Sequence, residues 1–127
     1  MKFDYTVETH KTVDEAAAEV ERLTAELKFR VLAVHDVSAT VAAKGFDLPP
    51  TRIIEVCNAK YAYEVLKADP LISLMLPCPI SVYTRDGKTW ISMMLPTAIS
   101  EFYPDADLGT VPAEVEAVLR QIVDRAK

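Results

Sequence analysis

Three glycines, two cysteines, 8% aromatic residues and a minority of basic side chains mark this 127-residue sequence, whose net charge is −5. Each shortage excludes something. So few glycines build no Gly-rich loop of the kind that cradles phosphate, and no GxSxG, HExxH or CxxC pattern occurs. Two cysteines do not make a disulfide framework. The deficit of Lys and Arg argues against nucleic acid as a partner, because binding there rests on displacing counterions from phosphates. It argues equally against an anionic membrane surface. No apolar run approaches the ~20 residues of a bilayer span. One tryptophan and few other aromatics make a poor stacking platform for single strands. Met1-Lys2-Phe3-Asp4-Tyr5 sets an acid where a signal peptide would begin its apolar region, so a cytoplasmic setting with reduced thiols is expected.

What is present is the balance of a folded chain, 50% hydrophobic and 26% charged. Its length suits one domain over 1–127, without repeats or linkers, and folding at this size buries roughly two-thirds of the extended-chain surface. Lys2–Glu8 alternates, with Phe3, Tyr5 and Val7 on one side, which predicts a half-buried strand. Thr12 and Glu15 form a capping box ahead of Val13, Ala16, Ala17, Val20, Leu23 and Leu27, a spacing that predicts an amphipathic helix. Arg30–Asp36 reads as a second strand. Ser38–Lys44 reads as a short helix that Gly45 ends.

Arg52–Cys57 predicts a third strand, and Asn58 caps a helix over Ala59–Ala68. Asp69-Pro70 starts a short helical piece running to Met75. Ile80–Arg85 and Lys88–Leu95 form a hairpin around Asp86-Gly87. The stretch Pro96–Leu108 reads as irregular. Thr110 and Pro112 open a last helix with Val115, Val118, Leu119 and Ile122 on one face. This order predicts an α+β fold, a two-layer sandwich in which helices cover one face of a mostly antiparallel sheet.

Chemistry-bearing residues are few. Cys57 ends a strand just before a helix N-terminus, whose free amides and partial positive charge favour thiolate. It reads either as a low-pKa nucleophile or metal ligand, or as a small buried residue closing the strand. Cys78 sits between Pro77 and Pro79, and nothing in the spacing brings it to Cys57. His35 beside Asp36 reads as a ligand or base, or as a strand-edge residue. Lys44 sits over an anionic ligand or caps its helix's last carbonyls. Glu55, inside an apolar strand, needs a partner such as Arg52 or Lys44 if it faces the core, and none if it faces solvent. Tyr61 and Tyr63 line a pocket or pack.

Val34-His35-Asp36-Val37, Lys44-Gly45, Glu55-Val56-Cys57-Asn58 and Leu76-Pro77-Cys78-Pro79-Ile80-Ser81-Val82-Tyr83, in this order, resemble the domain-of-unknown-function 302 family. The resemblance covers most of the chain. It implies a TATA-binding-protein-like β-α-β(4)-α arrangement, frequent self-association and no settled activity. It draws attention to His35, Lys44, Glu55, Cys57 and Cys78 as a group and assigns none of them a role; with Asn58 they are the candidate ligand-site residues, and His35, Cys57 and Cys78 are the candidate metal ligands. The family pattern usually continues Cys-Asn with Pro, where this chain has Ala59, which leaves the helix entry less rigid.

Three functions compete for these residues. The first is a binding module for a small molecule, a metal or haem in a cleft at the Cys-Asn and Leu-Pro-Cys segments. The second is a homodimeric interaction domain whose strand edges pair with a second copy. The third is a thiol-dependent redox protein or enzyme using Cys57, with Cys78 resolving. No particular cofactor is implied.

Overall fold

The structure is a computed structural model that describes residues 2–127. In chain order its elements are β1 (Asp4–Thr9), α1 (Val13–Glu26), β2 (Arg30–Asp36), α2 (Val37–Ala42), β3 (Thr51–Cys57) and α3 (Ala59–Ala68). A 3-10 helix (Pro70–Met75), β4 (Cys78–Arg85), β5 (Lys88–Met94), a 3-10 turn (Pro96–Ala98), α4 (Ile99–Phe102) and α5 (Val111–Ala126) follow. The strands form one sheet in the order β1-β5-β4-β3-β2, and every neighbouring pair is antiparallel. This is the α+β sandwich that the element order predicts.

Alternation sorts the strand residues onto two faces. Ile54, Val56, Ile80, Val82, Ile91 and Met93 point to the helix side and are buried against Ala16, Val20 and Leu23 of α1 and Leu119, Ile122 and Val123 of α5. Each fully buried aliphatic side chain contributes roughly 1.5–3 kcal/mol relative to exposure, so this layer is the main source of stability. The other face carries Thr6, His35, Ile53, Glu55, Pro79, Ser81, Tyr83, Trp90 and Ser92, none of them fully buried.

Local signals explain the element ends. Thr12 Oγ1 accepts from the Glu15 N–H at 3.1 Å, and the Glu15 carboxylate accepts from the Thr12 N–H at 3.1 Å, so the capping box is formed. Asp86 (φ 55) and Gly87 (φ 74) both take the positive φ that a two-residue hairpin turn demands. Asn58 caps α3, and Asp69 caps the 3-10 helix through the Leu71 N–H.

Several boundaries differ from expectation. β4 begins at Cys78, two residues before Ile80, with Pro79 inside the strand. Pairing between β4 and β5 starts only at Ile80, so a missing N–H at Pro79 has no ladder partner to lose on that side. α2 is shorter than expected, with its C-cap at Ala43, and Gly45 (φ 85) closes the following turn by donating to Ala42 O at 3.0 Å. The stretch Pro96–Leu108 is not irregular throughout, because Pro96 opens a 3-10 turn that leads into α4 and buries Ala98 and Ile99. Apolar residues there are too few to show a period, so tertiary burial decides their conformation.

Candidate functional site

The end of the sheet where β3 finishes and β4 starts holds the Cys-Asn and Leu-Pro-Cys segments together. Cys78 lies opposite Val56 in the β3–β4 ladder, one position from Cys57. Both thiols line one cleft with Phe29, Tyr61, Leu76 and Val115. The cleft is a seam between two hydrophobic clusters. Phe29, Cys78 and Val115 belong to the main core, whereas Val65 and Ile99, also on its wall, belong to a smaller cluster with Ile72 and Leu108. Leu76 and Val111 pack against both clusters. The free volume within the seam is about 30 Å³. That is room for one or two water-sized groups, not for a macrocycle.

Asn58 builds the mouth of the cleft and does two things at once. Its Oδ1 accepts from the N–H groups of Lys60 (3.1 Å) and Tyr61 (3.3 Å), and its Nδ2 donates to Lys28 O (3.3 Å). An aspartate could supply the cap but not the donor. Asn58 therefore ties the start of α3 to the turn between α1 and β2, where Phe29 is buried and meets Tyr61 at a centroid distance of 6.0 Å.

The thiols are not activated. Burial pushes the Cys57 pKa up, and the Asn58 N–H only partly offsets it, so the lowered pKa expected from the helix N-terminus is reversed. A dipole a short distance away cannot compensate when the apolar wall strips water from the sulfur. Cys78 is pushed up to about 11, mainly by burial and further by the neighbouring Cys57. Both cysteines are free thiols.

The remaining site residues are placed elsewhere. His35 Nε2 and Glu55 Oε1 lie 2.7 Å apart on the sheet face away from α1 and α5, with side-chain exposures of 52% and 30%. Glu55 is thus solvent-facing and its partner is His35. Arg52 points to the helix side instead, to Asp14 and to Asp36 at 3.3 Å. Lys44 is exposed in the turn after α2, its N–H donating to Val41 O at 3.0 Å. The structure brings Cys57, Asn58 and Cys78 together, pairs His35 with Glu55 separately, and leaves Lys44 apart. Among the described residues, no three His, Cys, Asp or Glu side chains converge as a metal site.

Sequence reasoning missed most of the cleft wall. Tyr61 does line it, whereas Tyr63 is 62% exposed, with the Lys67 ammonium 5.2 Å from its ring centre. Phe29, Val65, Ile99 and Val115 look like any core residues in the sequence, and only their meeting at the seam makes them a wall.

Comparison with known proteins agrees with this geometry. A crystal structure described as an uncharacterized conserved protein DUF302 from Bacillus stearothermophilus has a TM-score of 0.92 to this chain. The two are 32% identical, and the match covers 100% of each chain. No curated protein matches. The family described as Domain of unknown function DUF302 matches residues 5–126, so the chain belongs to the DUF302 family.

Proposed function

We propose that this protein is a binding module whose ligand inserts a small apolar group, a few heavy atoms of alkyl or aromatic character, into the seam beside Cys57, Asn58 and Cys78. The supporting observation is the seam itself, where two separately packed clusters meet around about 30 Å³ of space with aliphatic, aromatic and thiol walls. A boundary between clusters can part without breaking either one, so a ligand group larger than the resting space enters by a small displacement of α3. The walls offer dispersion and exclude water, and Asn58 at the rim is already engaged with backbone partners. Affinity then comes from apolar contact. Unactivated thiols, Cys78 buried and Cys57 half-buried, fit a wall better than a nucleophile.

Xenon and benzene are the direct probes, since dry apolar cavities admit both. Titrating ¹⁵N-labelled protein with each is expected to shift the amides of Cys57, Asn58, Tyr61, Val65 and Cys78 together. The variant Cys78→Leu, which fills the space, is expected to abolish the shifts while remaining folded by circular dichroism. Absence of any shift at these amides in the wild-type protein would overturn the reading, as would identical shifts in the filled variant.

A further inference from the structure

Four of the large apolar side chains exposed on this protein gather in one place. Leu71 and Leu74 stand three residues apart on the 3-10 helix, a spacing that puts side chains on one side. They are 59% and 78% exposed. Tyr103 Oη donates to Leu71 O at 3.1 Å, which holds the end of α4 beside this helix. Phe102, next to Tyr103 in the chain and also exposed, meets the ring of Phe3 edge-on at 6.5 Å between centroids. Leu74, Leu71, Phe102 and Phe3 thus run as one apolar strip, and a contiguous exposed strip marks a contact surface.

A cavity opens beside the strip. Asp69, Phe102, Tyr103, Pro104 and Asp105 are among its walls, and it holds about 250 Å³. That falls short of the roughly 300–1,000 Å³ of a small-molecule pocket and suits one long side chain. It offers negative charge and ring surface. Among the described residues, neither Asp69 nor Asp105 has a cationic partner. Lys67 is turned instead to Glu64 at 3.8 Å and to the Tyr63 ring, and Lys2 stands before Phe3 at the far end of the strip. Glu101 adds an exposed carboxylate next to Phe102. Two carboxylates are too few for a metal cage, and no three ligating side chains converge among the described residues. Carboxylates set among aromatic rings fit an organic cation. A guanidinium fits best, because its planar fork takes a carboxylate while its face lies on a ring.

We propose that the strip and its cavity dock a basic amphipathic helix of another protein. Its apolar side chains lie on Leu71, Leu74, Phe102 and Phe3, and an arginine enters the cavity against Asp69 and Asp105. Anchors recurring at i, i+4 and i+7 on one helix face match a strip with a pocket beside it. The acidic border selects this occupant by charge complementarity. The same carboxylates repel an anionic lipid surface, and a second copy, at net charge −5, sets negative charge against negative charge. The strip is short, so the contact belongs to the weak, transient class of interfaces.

The probe is a fluorescein-labelled, alanine-based helical peptide of about 14 residues, with leucine at i and i+4 and arginine at i+7. Fluorescence anisotropy is expected to show saturable binding at about 10–100 μM in low salt. Asp105→Lys, Leu74→Ser, and glutamine in place of the peptide's arginine should each weaken it about tenfold or more. Glu21→Lys, at an exposed position of α1, makes the same change in net charge and should leave the affinity within about twofold. All three protein positions are exposed, and circular dichroism verifies that each variant is folded. No binding at about 0.1 mM peptide would overturn the proposal. So would equal losses from Asp105→Lys and Glu21→Lys, which reduce the attraction to net charge, or indifference to Leu74→Ser. A wild-type dimer that Leu74→Ser makes monomeric in sedimentation would also overturn it, by giving the strip to a second copy. Co-sedimentation with phosphatidylcholine vesicles that Leu74→Ser abolishes would do so by giving it to lipid.

Discussion

Alkylation of Cys78 is the sharpest test of how the cleft controls its thiols. The group is 7% exposed and its pKa rises from 9.0 to about 11. At pH 8 an ordinary thiol of that reference value is about one-tenth thiolate, whereas one at 11 is about a thousandth. Since only thiolate attacks iodoacetamide, Cys78 should react about 100-fold more slowly than the same residue in urea-unfolded protein. Restricted access slows it further. Cys57, more exposed and shifted in the same direction, should fall between. The assay is timed iodoacetamide labelling of native and unfolded chains from pH 7 to 10, read residue by residue by peptide mass spectrometry. The native Cys78 rate should still climb about tenfold per pH unit at pH 10.

The same shift carries a stability consequence. A raised folded-state pKa leaves stability intact below the unfolded value and removes it as pH climbs through the folded one. Between about pH 9 and pH 11 the wild-type protein should therefore lose about 2–3 kcal/mol relative to Cys78→Ala. Native Cys78 reacting within a few-fold of the unfolded chain at pH 8 would refute the desolvation argument and revive a thiol-based chemistry.

Other outcomes follow from the same structure. Ile80→Ala, at a fully buried position in the central strand, should cost about 2–5 kcal/mol in urea unfolding with an unchanged m-value. Thr12→Ala removes one half of the capping box and should cost about 1 kcal/mol, seen as a lower melting temperature by circular dichroism. The carboxyls of Glu15 (through the Thr12 N–H), Glu19 (through Arg22), Glu26 (through Arg125) and Asp36 (through the Ala39 N–H) are held below their ordinary values. Depressed folded-state values stabilise above the unfolded ones, so stability should fall as pH drops below about 4. Glu26→Gln should reduce that slope.

Much of the fold is legible in one dimension. α1 announces itself through the Thr12–Glu15 box and apolar residues spaced for one face, and the hairpin through Asp86-Gly87. Both are local codes, read by backbone groups only a few residues away. The start of β4 and the short helices after Pro96 are not legible. Whether Pro79 can sit in a strand depends on what lies beside it, and Ile99 helps to form a helical turn because a second cluster exists to receive it.

The candidate site divides the same way. Sequence alone determined that Cys57 would close a strand and Asn58 would cap a helix, because a cap depends on the N–H groups two and three residues on. Only the tertiary structure decided that Cys78 lies beside the Val56–Cys57 end of β3, that Glu55 faces solvent with His35 at 2.7 Å, and that Lys44 stands apart. It alone decided the fate of the thiols. A helix N-terminus at Cys57 is a local fact and favours thiolate, but the apolar walls from Phe29, Tyr61 and Val115 arrive from distant parts of the chain. Desolvation depends on everything around the sulfur and not on its neighbours in sequence, which is why it could overrule the local signal.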